Sequence, residues 1–381
     1  MAYIRYIPPG RAAGRLAQVY REVRSEVPRV PNLIQLFSLR PETMECVYRF
    51  WLAVMWNGRV SRQLKELVAV AVSKTTKCDY CVDAHMVFLL ATGLDRTRAY
   101  EVESKLTGAE WLDERTRSLL QLSGRLAANS CAVTPEDIAA FASAFPDAEE
   151  RAELLSVIAA FSAITRIANA LGVTSEIPAP VRRFEAGRRG AIGLLSRLTA
   201  ISLDLSERPI PARTPEENRR ALVRLFGTQI GFPSCPPGFQ LLEACPEIFD
   251  GQLRTIEKTV CVMPRDRWMR IGVVIGKLTG CGYLIENCGR WLSQRGIDAT
   301  TVIAASEGAG SMLPEVEDAC LRFTRDITLH SHAIGEDRIR ELRRLGLSDG
   351  AILDLAYVGG VLNGVVQLVR VLTPLEERVA A

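Results

Sequence analysis

Apolar side chains recur along this chain at intervals of three and four, the period of a helix with one buried face, and strand-like alternation is scarce. Leu154, Ile158, Phe161, Ile164, Ile167 and Leu171 make one such stripe, with Gly172 placed where a left-handed residue ends a helix. Thr134-Pro135-Glu136-Asp137 reads as a helix start, the threonine capping and the proline in the first turn. Ser348 similarly opens the helix carrying Ile352, Leu355, Val358 and Leu362. The predicted class is all-α.

The pattern also repeats. Residues 62–80, RQLKELVAVAVSKTTKCDY, lie over residues 265–283, RDRWMRIGVVIGKLTGCGY, at an offset of 203. Arg62 meets Arg265, Val70 meets Val273, Lys74 meets Lys277, Thr76 meets Thr279, Cys78 meets Cys281, and Tyr80 meets Tyr283. ITRIANAL in the first half lies over VVQLVRVL in the second, and Pro41-Glu42 has a counterpart in Pro246-Glu247. Three blocks in one order predict a tandem duplication, which suits 381 residues as two domains of ordinary size. The expected division is a first domain over residues 1–202, a linker over 203–217 holding Pro209, Pro211 and Pro215, and a second domain over 218–381. The Pro/Gly-rich stretch from Gly231 to Gly238 reads as a loop inside the second copy.

Composition narrows the function classes. Hydrophobic residues at 48% and charged residues at 24% describe a globular protein, and 47 basic against 44 acidic residues leave no footprint for nucleic acid or an anionic membrane. Arg338, Arg340, Arg343 and Arg344 cluster, but interleaved acids make them a solvated helix face. Residues 1–15 lack an apolar signal region, and no run reaches the ~18 uninterrupted apolar residues of a membrane helix, so a cytoplasmic location is expected. In that compartment most of the ten cysteines are expected to be buried small apolar residues.

One pair stands apart. After the turn-like Lys-Thr-Thr-Lys, Cys78-Asp79-Tyr80-Cys81-Val82-Asp83-Ala84-His85 starts a new helix with both cysteines in its first turn. Unpaired N–H groups and the positive helix end there favour a thiolate, so one thiol is expected to be unusually acidic. Cys78 and Cys81 share a face and can close a reversible disulfide. His85, one turn beyond Cys81, can reach its proton, and Glu66 on the preceding helix can orient the imidazole. Other readings stand beside this one. His85 serves equally as a buried core residue, and Cys78, Cys81 and His85 serve as part of a zinc site, although no second C-x-x-C or H-x-x-x-H supplies a fourth ligand. His330 and His332 diverge on a helix and are expected to be exposed or capping.

Glu66, then Cys78 twelve residues on, then C-x-x-C-x-x-x-H, resembles the AhpD-like family within the carboxymuconolactone decarboxylase superfamily, and Pro31-Asn32-Leu33 and the stripe ending at Leu171 extend the likeness over most of the first half. The resemblance implies a thiol-dependent oxidoreductase in which Cys81 attacks a hydroperoxide, Cys78 resolves the sulfenic acid, and Glu66 and His85 relay protons. It implies a small hydroperoxide or other organic substrate, a dithiol reductant protein, no cofactor or metal, and a homo-oligomer, expected as a trimer of tandem chains. Tyr80 departs from the best-known members, which have histidine before the second cysteine. In the second copy Met269 replaces Glu66, Leu284 replaces Cys81 and Cys288 replaces His85, so that copy is expected to be structural; Cys281 and Cys288, about 10 Å apart along a helix, cannot pair. The alternatives are a lyase of the decarboxylase type, whose relatives lack the paired cysteines, a specialised biosynthetic or sulfur-transfer enzyme, and a non-catalytic assembly protein.

Overall fold

The computed structural model describes every residue except 1, 28, 203–205, 207–209, 310–312 and 381, and the side chains of 26, 202 and 378–380 lie outside the description as well. Six of the fifteen residues of the expected linker, 203–205 and 207–209, therefore fall outside the described residues, and its last part is helical from Pro215.

Among the described residues there are no strands. The first half comprises α1 (Gly14–Glu26), α2 (Asn32–Leu36), α3 (Pro41–Trp56), α4 (Arg62–Thr75), α5 (Asp79–Ala91), α6 (Arg96–Lys105), α7 (Glu114–Ala128), α8 (Pro135–Ala144), α9 (Ala148–Ala170), α10 (Ala179–Arg182) and α11 (Glu185–Ser202). The second comprises α12 (Pro215–Val223), α13 (Pro246–Cys261), α14 (Arg265–Thr279), α15 (Gly282–Ser293), α16 (Ala299–Glu307), α17 (Glu315–His330), α18 (Glu336–Arg344) and α19 (Asp349–Ala380).

Local chemistry sets the ends. Thr134 and Asp137 form a reciprocal capping box at α8, with Pro135 at the first helical position. The Leu154–Leu171 stripe lies on α9, and Gly172 follows it at φ +63°. The Ser348 Oγ accepts the Ala351 N–H at 3.2 Å as α19 begins.

The core is continuous across both halves, centred where α9 lies against α19. Gly360 and Gly364 make that contact possible, because a Cβ at either would come within 2.8 Å of the Ala163 or Ala159 carbonyl oxygen. Gln367 on α19 seals it, donating to Ser162 Oγ at 2.6 Å and Leu126 O at 2.9 Å. Both long helices are apolar enough to cross a membrane by length and composition, yet 78% and 94% of their apolar windows are buried inside the fold, as in core helices. The α18 arginines are paired: Arg338 with Asp326 and Glu341, Arg343 with Asp349, Arg344 with Glu315.

The repeated segments share local geometry. Pro41 and Pro246 each open their helix, preceded by residues at φ −135°, ψ 73° and φ −126°, ψ 80°. Cys78 and Cys281 each cap the next helix, and their N–H groups bond Ser73 O and Gly276 O at 2.9 Å.

Candidate active site

The first cysteine caps α5 and the second lies in its first turn, as the spacing predicts. The turn before them is tight enough to place Lys77 at φ +54°, a left-handed conformation uncommon for lysine. Arg182 and Arg188, from α10 and α11, clamp the outer side of α5 by holding the Asp83 carboxylate at 2.7 and 2.6 Å.

The Cys78 and Cys81 sulfurs are 2.7 Å apart and unbonded, so a small rotation carries them to the about 2.05 Å of a disulfide. Both residues are 1% exposed, packed with Tyr80 and Ala168 beneath Leu33 and Val173. Burial pushes the Cys81 thiol well above its ordinary range, and the adjacent Cys78 adds to this. The acidic thiol expected from the helix end is thus not found at Cys81, because removal from water outweighs the helix dipole at a site this enclosed.

Glu66 and His85 come together as predicted, with His85 Nδ1 2.7 Å from Glu66 Oε2. The other carboxylate oxygen accepts Arg62 Nε at 2.6 Å. Although burial pushes the fully buried Glu66 carboxyl up, Arg62 and His85 hold it below its ordinary range. The Arg62 guanidinium lies 3.9 Å from the Trp56 ring centroid, and its Nη1 and Nη2 are buried without a hydrogen-bond partner. The His85 ring stands edge-on to Phe161 at 4.5 Å. Among the described residues no hydrogen bond joins His85 to either sulfur. The imidazole is turned to Glu66 instead, which departs from the direct Cys81–His85 contact expected from their spacing.

Tyr80 completes a second polar group that the sequence did not announce. Its hydroxyl donates to Glu176 Oε1 at 3.2 Å and accepts the Leu33 N–H at 3.3 Å, and Glu176 Oε1 also accepts the Asn32 N–H at 2.8 Å. Burial pushes the Glu176 carboxyl above its ordinary range. Arg62 carried a signal, standing four residues before Glu66 on one helix face. Glu176 carried none, because it reaches the site from the loop after α9.

The counterpart segment holds Met269, Leu284 and Cys288, all buried, with Cys281 and Cys288 unbonded. His330 and His332 are exposed, and Lys77 Nζ lies 3.5 Å from His332 Nε2. Among the described residues no cluster of three or more His, Cys, Asp or Glu side chains has the arrangement of a metal site.

Residues 41–109 match the carboxymuconolactone decarboxylase family. The chain is 35% identical over 97 residues to an alkyl hydroperoxide reductase of Mycobacterium tuberculosis, a stretch covering 26% of this chain and 28% of that relative. It is also similar to two solved structures. One, described as an alkylhydroperoxidase AhpD core and peroxidase-related protein from Ralstonia eutropha, is 22% identical with a TM-score of 0.42, over 46% of this chain and 92% of that one. The other, a peroxidase-related protein from Silicibacter, is 19% identical with a TM-score of 0.38, over 42% and 83%. The stretch that matches the carboxymuconolactone decarboxylase family, residues 41–109, spans Glu66, Cys78, Cys81 and His85.

Proposed function

We propose that the chain is a thiol-dependent oxidoreductase that reduces hydroperoxides through Cys81 and Cys78. The observation that carries this reading is the 2.7 Å approach of the two sulfurs at the start of α5. The Cys81 thiolate attacks the outer peroxide oxygen, giving a sulfenic acid, and the departing alkoxide takes up a proton as the alcohol. Cys78 then displaces water from the sulfenic acid, the Cys78–Cys81 disulfide forms, and a dithiol donor restores both thiols.

The resting Cys81 is predominantly a thiol, so it needs a proton acceptor when substrate arrives. Glu66 and His85 form the relay for that proton, with Arg62 holding the carboxylate charged. Tyr80 and Glu176 flank the sulfurs and position the helix turn. Substrate reaches the pair past Leu33 and Val173, the side chains packed over it. The homo-oligomer implied by the resemblance uses the exposed apolar side of α11, where Leu194 and Ile201 face solvent.

Peroxide consumption in the presence of excess dithiothreitol tests the assignment. Cys81→Ser abolishes it; in a separate reaction free of dithiothreitol, pre-reduced Cys78→Ser undergoes one oxidation and leaves a sulfenic acid that dimedone captures. Equal consumption by the parent and Cys81→Ser proteins would contradict the proposal.

A further inference from the structure

The second half retains the position of Cys78 but not that of Cys81. Cys281 caps α15 with nearly the backbone angles of Cys78, φ −84°, ψ 93° against φ −90°, ψ 86°. Leu284 stands where the second cysteine would be, and Cys288 is sealed against Gly272.

A different cysteine approaches from the first half. Cys131 is exposed on the single turn Ser130–Ala132 between α7 and α8. Its sulfur lies 3.0 Å from where a Cβ on Gly280 would stand, against the residue that precedes Cys281. Gly280 sits at φ +61°, so its missing side chain suits the left-handed turn and also leaves room for the sulfur. Arg370 on α19 fastens the turn, its Nη2 donating to Cys131 O at 3.1 Å and Val133 O at 2.9 Å.

Cys281, although buried, also borders a cavity of about 280 Å³, which it lines with Thr279, Tyr283, Arg370 and Glu377. Burial and, to a smaller extent, the neighbouring Cys131 push its thiol up, while the N–H groups of Leu284 and Tyr283 and the charge of Arg370 act in the opposite direction. The surroundings thus combine an exposed thiol, a helix-capping thiol and a cation.

We propose that Cys131 and Cys281 form a second redox-active dithiol, independent of Cys78 and Cys81, which joins the two halves and takes a low-molecular-weight disulfide as its oxidant. The Cys131 thiolate attacks one sulfur of the disulfide, forming a mixed disulfide and releasing one thiolate. Cys281, its proton passed to solvent, attacks the Cys131 sulfur, and the second thiolate leaves as the Cys131–Cys281 bond forms. Two protein thiols are oxidised, and one small disulfide is reduced to two thiols.

The test is peptide mapping of the full chain after oxidised glutathione, with free thiols alkylated before trypsin. The expected product joins peptide 126–151 to peptide 278–290, is lost in Cys131→Ser and in Cys281→Ser, persists in Cys288→Ser, and disappears on reduction. It is distinct from any Cys78–Cys81 bond, whose two sulfurs share another peptide. A glutathione adduct that stays on Cys131 while Cys281 alkylates freely would overturn the proposal, as would a link that survives Cys281→Ser.

Discussion

The two helix pairs α4–α5 and α14–α15 share a backbone pattern and differ in what they bury. In the first, Lys65 and Glu153 pair in the core, and Arg62, Glu66 and His85 form a buried chain of charge and hydrogen bonds. In the second, Trp268 takes the place of Lys65 and donates to Thr259 Oγ1 at 2.9 Å, Met269 takes the place of Glu66, and Cys288 that of His85. Apolar packing of similar volume serves a fold as well as a buried ion network, or better. The second pair therefore shows that this helix-pair geometry forms without such buried charges.

The largest expected effect comes from making the first pair resemble the second. Glu66→Met strands the buried Arg62 charge and is expected to cost about 3–5 kcal/mol of stability in denaturant titration. Arg62→Leu with Glu66→Met should recover most of that stability but no peroxide turnover. If the double variant stayed as unstable as the single, the buried pair would not be the cause.

Next comes the pH dependence of Cys81. Burial disfavours the thiolate, so the folded value lies above the ordinary 9.0 and the charged fraction grows as pH rises toward it. Alkylation of Cys81 by iodoacetamide should therefore accelerate about tenfold per pH unit between 7 and 9. A plateau below pH 7 would restore the acidic thiol anticipated from the helix end.

A smaller effect sharpens the comparison from the other side. Gly272 lies at the offset position of Ala69, and a Cβ there would lie 2.5 Å from the Cys288 sulfur. Gly272→Ala should cost about 1–3 kcal/mol through overpacking, and adding Cys288→Ala should restore most of it. The smallest effect is a gain. Lys77 at φ +54° occupies the position of Gly280 at φ +61°, so Lys77→Gly should raise stability by about 1 kcal/mol in thermal unfolding, and a loss would mean the Lys77 side chain has contacts that outweigh its strain.

Where a side chain acts on its own helix, the sequence was sufficient. The places of Cys78, Cys81 and His85 at the start of α5 follow from spacing, although the imidazole turns to Glu66 and not to Cys81, and the helix ends at Thr134, Gly172 and Ser348 follow from local backbone chemistry. What the sequence hid depends on distance through space. Glu176 meets Tyr80 across 96 residues, and Cys131 nears Gly280 only once both halves have packed. An acidic thiol is absent at Cys81 for the same reason, because a helix dipole is a local property and burial is a tertiary one.

Intact-mass measurement of the reduced protein before and after one equivalent of hydroperoxide, with peptide mapping of the product, tests the central claim most directly. The expected result is the loss of two hydrogens, located between Cys78 and Cys81, absent in Cys78→Ser and Cys81→Ser and replaced in Cys78→Ser by one added oxygen on Cys81. An unchanged mass, or oxidation confined to other cysteines, would contradict it.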